Sequence, residues 1–368
     1  MLSKWELDTP VLLIEKEIMQ KNLRDMQVKA NKSGVNLRPH TKTHRTPAIA
    51  KMQVEAGAKG ITVAKVGEAE VMAEAGLKDI FIANEIYGKQ KMERLKEVAK
   101  KVRVSIGVDN KEQVMALSEV FTDAGFPIEV LIEVEIGEKR SGLVPGEELV
   151  ELAKFITNTP NVKFKGIFSH EGHTYGASSP EECVQLFKKS QEDTLYAAEL
   201  IRKAGIELEV ISMGATPSLM LGEILPGITE IRPGTYILMD AAQGHAINDY
   251  SRCAITVLAT VVSKPTPERV VLDTGVKALT AFTRNKGICF TPGFGIVKGF
   301  EDLRLDKLYD EHGLINNREA SEKLKIGDKV EIIPNHVCPT CNLYDKIYLI
   351  KDDMVIDELP ILCRGKSQ

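Results

Sequence analysis

No stretch of this 368-residue sequence approaches the roughly 20 consecutive apolar residues that a membrane-spanning helix needs, so no membrane role is expected. Charge does not accumulate with one sign either. Lys and Arg number 48 against 52 Asp and Glu, a net charge of −4, which gives no electrostatic reason to bind nucleic acid. Cysteine is sparse: Cys183, Cys253, Cys289, Cys338, Cys341 and Cys363 are too few in a chain of this length for a disulfide framework, and all are expected to be reduced. The first residues, Met1-Leu2-Ser3-Lys4-Trp5-Glu6, lack the charged-then-apolar pattern of a signal peptide, and a cytoplasmic location is the expectation. Internal repeats and low-complexity linkers are missing. No G-x-G-x-x-G follows the first strand candidate, which weakens a dinucleotide-binding fold.

What is present is a long alternation. Short runs rich in Val and Ile, bounded by Gly, Pro, Asn or Asp, mark strands at Val11–Glu15, Val35–Arg38, Gly60–Ala64, Asp79–Ala83, Val102–Val108, Glu129–Glu133, Lys163–Ser169, Glu207–Met213 and Ile228–Ile231. Between them, apolar residues recur at helical spacing, as in Glu17–Asn31, Lys89–Lys100 and Pro180–Ala204. Strand–helix alternation means a parallel sheet covered by helices. Eight or nine such units favour an α/β fold of the closed (β/α)₈, TIM-barrel type over an open doubly wound sheet. After about residue 250 the texture changes. Ala254–Ser263, Glu268–Leu272, Lys329–Ile333, Lys346–Ile350 and Met354–Leu359 read as strands, and helical signal is confined to the charged stretch Lys307–Lys325. The expected organisation is a barrel over residues 1–245 and a mainly β domain over 246–368, with the strand near Val11 able to join the second.

The most pointed local feature is Leu37-Arg38-Pro39-His40-Thr41-Lys42-Thr43-His44. Alternate side chains of a strand share a face, so the spacing predicts Arg38, His40, Lys42 and His44 on one side. Such a run can be a solvated cationic edge. Parallel barrel strands are buried on both sides, however, and there four polar residues on one face suit a site. Neighbouring positive charge would disfavour protonation of Lys42 and make it a better amine nucleophile.

Two turns follow late strands: Ser212-Met213-Gly214-Ala215-Thr216-Pro217-Ser218 and Glu230-Ile231-Arg232-Pro233-Gly234-Thr235-Tyr236. Each can be an ordinary turn, or one whose N–H groups face an anion. Barrels favour phosphate at the loops after strands seven and eight. In Pro334-Asn335-His336-Val337-Cys338-Pro339-Thr340-Cys341-Asn342, His336 and Cys338 can bind one metal if the backbone is extended. Cys338-x-x-Cys341 equally fits a structural zinc site, a redox pair, or buried inert thiols. A full structural site wants four ligands, and few protein ligands with open positions is the catalytic pattern. Finally, Phe168-Ser169-His170-Glu171-Gly172-His173-Thr174-Tyr175 and Gly137-Glu138-Lys139-Arg140-Ser141-Gly142 each follow a strand. They are polar loops that could supply an acid, a base or a contact to an anion.

Taken together, these segments resemble the D-serine dehydratase and D-threonine aldolase family, alanine-racemase-like enzymes with a barrel and a β domain that use pyridoxal 5′-phosphate (PLP). The likeness rests on R-P-H-T-K-T-H at 38–44, with Ala83-Asn84-Glu85, Arg140-Ser141-Gly142, the His170–Tyr175 segment, both glycine turns and Pro334–Thr340, in order over nearly the whole chain. The resemblance implies that Lys42 binds PLP covalently, with His40 beside it. It implies that Tyr175 contacts the cofactor and that Arg140 meets the ring oxygen. Gly214, Thr216, Gly234 and Thr235 would cradle the phosphate through backbone N–H groups, and His336 and Cys338 would hold the metal. Phe168 stands where some relatives have Tyr, which puts one hydroxyl contact in question. Cys341 stands where relatives commonly have an apolar residue. His-x-Cys is similar to the zinc-binding dehydratases, His-x-Asp to the manganese- or magnesium-using aldolases. A thiolate suits zinc, so the chain leans towards a dehydratase.

The implied chemistry acts on a β-hydroxy D-amino acid. With the ring stabilising charge at Cα and the metal acting as Lewis acid on the β-hydroxyl, removal of the Cα proton by Lys42 expels hydroxide and yields a keto acid and ammonia, pyruvate from D-serine. Deprotonation of the hydroxyl instead breaks Cα–Cβ, giving glycine and an aldehyde. A racemase would need no metal and would want a second base opposite Lys42. A non-enzymatic PLP carrier would be a barrel alone, against which the β domain argues. The resemblance also implies a homodimer whose sites lie between one subunit's barrel and the other's β domain.

Overall fold

The computed structural model describes residues 2–368. Strand β1 (Val11–Glu15) leads into helix α1 (Lys16–Lys32). Eight parallel strands follow: β2 (Asn36–Leu37), β3 (Ile61–Val63), β4 (Asp79–Glu85), β5 (Arg103–Val108), β6 (Ile128–Val134), β7 (Val162–Ser169), β8 (Val210–Met213) and β9 (Glu230–Ile231). Helices α2 (Pro47–Glu55), α3 (Val66–Glu74), α4 (Lys89–Ala99), α5 (Lys111–Val120), α6 (Glu147–Asn158), α7 (Pro180–Lys203) and α8 (Thr216–Leu221) connect them. The sheet order is β2-β9-β8-β7-β6-β5-β4-β3, and a parallel bridge between His40 and Thr62 joins its two edges. The result is a closed barrel, as expected from the alternation. Alternation along β4 shows why it closes on itself. Ile80 and Ile82 pack outward into the core shared with the helices, whereas Phe81 points inward to Leu131 and Phe168. Helix α7 starts where Ser179 accepts from the Glu182 N–H, with Pro180 at its first position, and ends with Arg202 and Lys203 in the last turn, a sequence of signals that complements the helix dipole.

The inside of the barrel below the site is ionic. Arg38 bonds Asp79 at 2.6 Å and Glu230 at 2.7 Å. Ser212 Oγ donates to Glu230 at 2.7 Å and accepts from Arg232 at 2.6 Å. Arg38 therefore points down the barrel and is no part of the cavity above it.

After β9 come α9 (Ala241–Ala246) and a second, ten-stranded sheet. Its strands are β10 (Ile255–Thr266), β11 (Arg269–Leu272), β12 (Ile296–Val297), β13 (Phe300–Arg304), β14 (Lys307–Leu308), β15 (Gly313–Asn316), β16 (Lys329–Ile333), β17 (Lys346–Lys351) and β18 (Met354–Pro360), joined by β1. Strand β1 lies between β10, antiparallel, and β17, parallel. Two short helices belong to this part, α10 (Arg318–Lys323) and α11 (Val337–Cys341). The helix expected over Lys307–Lys325 is confined to α10. Residues 307–316 instead form β14 and β15, because Leu314 and Ile315 pair with Val271 and Val270. The charges there edge a sheet rather than line a helix. Asn317 then starts α10 by accepting from the Ala320 N–H.

Candidate active site

A cavity of about 390 Å³ opens where the C-terminal ends of the barrel strands meet α11 of the β part. It contains His40, Lys42, Arg140, Tyr175, Gly214, Thr216, Gly234, Thr235, His336 and Cys338 in its walls. These are all the residues to which the resemblance gave a part in holding the cofactor or the metal. Arg38 and His44 are not among them. The strand expected to carry Arg38, His40, Lys42 and His44 stops at Leu37, and Thr41–Thr43 form a 3-10 turn. In such a turn residues two apart no longer share a face. Thr41 Oγ1 pins the turn to the Thr62 carbonyl at 3.0 Å. His44 faces away, bonded to Gln53 of α2 at 3.2 Å.

Lys42 is held below its usual range chiefly by removal from water, with the charges of Arg140 and Arg232 adding to this and Cys338 and Glu68 opposing it. The neighbouring cations that the sequence suggested as the cause are thus secondary. Burial, then the charges of Lys42 and other neighbours, pushes His40 and His170 far down, so both imidazoles are neutral. By contrast Lys277, in the β part, is exposed and paired with Glu311 at 2.7 Å.

Arg140 reaches Glu133 at 3.0 Å, and Ser141 donates to the same carboxylate at 2.8 Å. Glu85 adjoins Glu133. Burial and then Glu133 drive the Glu85 carboxyl well up, while burial opposes a charged Glu133 and Glu85, Ser141 and Arg140 together bring its carboxyl down. Arg232, in the second glycine turn, has no role that its sequence neighbours suggest. It is buried with its guanidinium 5.7 Å from the Phe81 ring and 5.3 Å from Phe168. Phe168, where a tyrosine was expected in relatives, serves as one face of this clamp.

The glycine turns come together around a small cup. Gly234 lets its turn approach the lysine segment: a Cβ there would lie 2.8 Å from Thr43 Oγ1 and 3.1 Å from the His40 carbonyl. Gly214 has φ +134°, and a Cβ would meet the Arg232 nitrogen at 3.0 Å. The Gly214 N–H already donates to Glu171 at 3.2 Å, and the Ala215 N–H and Ser218 hydroxyl donate to the same carboxylate, both at 2.6 Å. Gly214 contributes clearance rather than a free donor. Among the described residues, the N–H groups of Thr216, Gly234 and Thr235 take no protein acceptor. That is the pattern of a cradle made for an anion such as the phosphate of PLP.

His336 and Cys338 reach the cavity from the same chain that supplies Lys42, with Cys338 Sγ 3.5 Å from Thr43 Oγ1. One chain therefore brings its own β part to its own barrel here. His336 Nδ1 lies 3.3 Å from Asp240 Oδ2, and Asp240 also accepts from the Val337 N–H at 3.0 Å and the Gln243 N–H at 2.9 Å. Burial opposes a charged His336, yet Cys338 and Asp240 raise it. Burial likewise opposes a Cys338 thiolate, yet His336, Lys42 and Thr43 lower that thiol. An imidazole oriented by a buried carboxylate beside a thiolate is a donor set that fits a soft divalent metal. Among the described residues no group of three or more His, Cys, Asp or Glu side chains could hold a metal, so a four-ligand structural site is not built. Cys341 is fully buried in the core, and burial pushes its thiol well up. All six cysteines are free. Asp240 was invisible in the sequence, since it stands in no motif and acts across the two sheets.

Residues 14–242 match the family described as alanine racemase, N-terminal domain, and residues 254–350 a serine dehydratase domain. The chain is 33% identical over 367 residues to a D-threonine aldolase of Arthrobacter sp, covering 98% of this chain and 94% of that protein. It is 29% identical over 372 residues to a 3-hydroxy-D-aspartate aldolase of Paracoccus denitrificans, covering 98% and 93%, and 28% identical over 375 residues to a D-serine dehydratase of Dictyostelium discoideum, covering 94% of each. Among solved structures, a D-threonine aldolase from Filomicrobium marinum superposes with a TM-score of 0.88 at 30% identity, covering 99% of this chain and 98% of the other. A D-threo-3-hydroxyaspartate dehydratase from Delftia sp. gives 0.91 at 26% identity, covering 98% and 99%. A cysteine-to-alanine variant of a D-threo-3-hydroxyaspartate dehydratase has been solved in a metal-free form, at 25% identity to this chain and a TM-score of 0.90, covering 98% and 99%.

Proposed function

Because this chain belongs to the alanine-racemase-like family of PLP-dependent lyases that act on D-amino acids, we propose that it cleaves a β-hydroxy D-amino acid with a divalent metal, zinc, held by His336 and Cys338, and that β-elimination of the D-serine type is its main reaction. The observation that carries this is the placement of a thiolate-prone Cys338 and a carboxylate-oriented His336 beside Lys42. Thiolate ligation favours zinc over manganese or magnesium.

Bound PLP supplies an electron sink for charge at Cα, and the metal a Lewis acid at the β-hydroxyl. The chain's own residues do the rest. Lys42 anchors the cofactor. Its lowered proton affinity would leave its amine free to take the Cα proton. Thr216, Gly234 and Thr235 would hold the phosphate, while Glu171 holds the Gly214 turn in place through three hydrogen bonds. Arg140, steadied by Glu133, would hold the cofactor's ring oxygen, and Tyr175 closes one side of the cavity. For elimination, proton and hydroxide leave as water, and a water returns to release ammonia. D-serine thus becomes pyruvate and ammonia.

Retro-aldol cleavage to glycine and an aldehyde is the second reading, favoured by the 33% identity to a D-threonine aldolase. An assay of purified protein with D-serine, D-threonine and D-3-hydroxyaspartate, following both keto acid and glycine, decides between them. Keto acid without glycine is expected. Glycine as main product from all three would replace the elimination reading by the aldol one.

A further inference from the structure

Arg45 does not line the cavity, yet four segments of the chain meet at it. Its N–H donates to the Thr41 carbonyl at 2.8 Å, closing the turn that carries Lys42, and its own carbonyl accepts from the Cys363 N–H at 3.1 Å. Its φ is +56°, a left-handed conformation that costs energy in most residues with a Cβ. Glycine would take it freely. An arginine is kept in it by what its side chain holds. Nη1 donates to Asn342 Oδ1 at 2.8 Å and to the Cys363 carbonyl at 3.2 Å. Nη2 lies 3.3 Å from Glu68 Oε1. Glu68 is buried in α3 and is itself fixed by the N–H groups of Ala64 and Lys65, at 2.7 and 3.0 Å. Asn342 is the C-cap of α11 and also accepts from the Gly365 N–H at 2.9 Å.

The lysine turn and α11 therefore touch at two places. In the cavity, Thr43 Oγ1 lies 3.5 Å from Cys338 Sγ. Outside it, Arg45 reaches the end of the same helix through Asn342. Both contacts come from residues within three positions of Lys42. One contact leaves a turn free to pivot about it, and two fix its orientation. The rigid fork of a guanidinium suits such a brace, because it holds several partners in a set geometry. We propose that Arg45 is a positioning residue of the site: it braces the turn of Lys42 against α11, the helix of Cys338, and so holds the amine where it meets the cofactor. The inference rests on the reading of Lys42 as the cofactor's anchor. Glu68 serves as the counter-ion that allows the guanidinium to be buried between the barrel and the β part.

The test takes two measurements on the same proteins. PLP is titrated into cofactor-free protein and followed by the absorbance band of the lysine-bound cofactor, and stability is read by urea unfolding without PLP. Arg45→Met is expected to weaken PLP binding by about tenfold or more in protein whose circular dichroism is unchanged, since a small misplacement of an anchoring group has effects of that order. Arg45→Lys, which keeps the charge but not the fork, should recover part of the loss. Asn342→Ala should weaken PLP binding as well, and the double variant should bind PLP no worse than Arg45→Met alone, because both changes remove one shared contact. An Arg45→Met protein that loses stability yet binds PLP as the wild type does would make the arginine a tie between the two parts and nothing more, and would overturn the proposal. So would additive losses in the double variant, which would show that the lysine turn is not held through α11. Should Arg45→Met fail to fold, the same cycle is run with Arg45→Lys, and the same outcomes decide. A wild-type protein that shows no band fails the cofactor reading itself, and the proposal with it; a normal band and affinity in the wild type and in every variant sinks the proposal alone.

Discussion

Asp240 and His336, 96 residues apart, meet through Oδ2 and Nδ1 at 3.3 Å. The contact leaves Nε2 as the imidazole nitrogen available to a metal, and it joins the last loop of the barrel to the first turn of α11. A carboxylate behind a ligating histidine fixes its tautomer and ring plane.

Asp240→Asn should keep the cap on the Gln243 N–H but lose the acceptor that orders His336. Metal affinity is expected to fall by roughly 10–100-fold, read by competition with a metallochromic chelator. Unaltered affinity would mean that the imidazole is positioned by something else.

Lys42 should carry PLP. Borohydride reduction of the loaded protein followed by peptide mapping is expected to place the label on Lys42, and Lys42→Ala should lose the cofactor absorbance band. A label on Lys277, which is exposed and paired with Glu311, would sink the assignment.

Chelation should abolish β-elimination while the circular dichroism and the PLP absorbance persist, because two protein ligands form an open site. Cys338→Ala should act the same way. Cys341→Ala should leave metal binding intact and cost about 1–2 kcal/mol of stability, as loss of one small buried side chain does. Unfolding on chelation, or the reverse ranking of the two cysteines, points to a structural Cys-x-x-Cys site instead.

His44 is buried, accepts from the Thr46 N–H at 3.1 Å and bonds Gln53, and burial lowers its proton affinity to a pKa of about 4. In the unfolded chain it titrates near ~6.5. The unfolded state therefore binds more protons between those values, and stability falls as pH drops through that window. The contribution is at most about 3 kcal/mol. His44→Asn should be less stable at pH 7 but show a flatter decline between pH ~6.5 and ~4, measured by urea unfolding. An unchanged slope would remove His44 as the cause.

The barrel was legible because each strand candidate is a short Val- and Ile-rich run closed by turn residues, and Lys42, His336 and Cys338 were legible because they stand in short motifs. The charged segment 307–325 misled. Its charges looked like a solvated helix, while Leu314 and Ile315 were reserved for pairing with β11. Spacing also misplaced Arg38 and His44, since it assumes an extended chain and this one turns at Thr41.

Residue types and local spacing thus determined the eight-strand alternation, the β-rich end, the lysine, the glycine turns and the histidine–cysteine pair, all of which depend on neighbours within a few positions. Only the tertiary structure decided what those groups touch. It inserted β1 between β10 and β17, gave the Gly214 N–H to Glu171, set Asp240 behind His336 and brought Arg284 within 4.7 Å of the Tyr175 ring and 5.1 Å of the Phe282 ring. Such contacts follow from how closed sheets and their loops pack, and no period or motif in the chain encodes them locally.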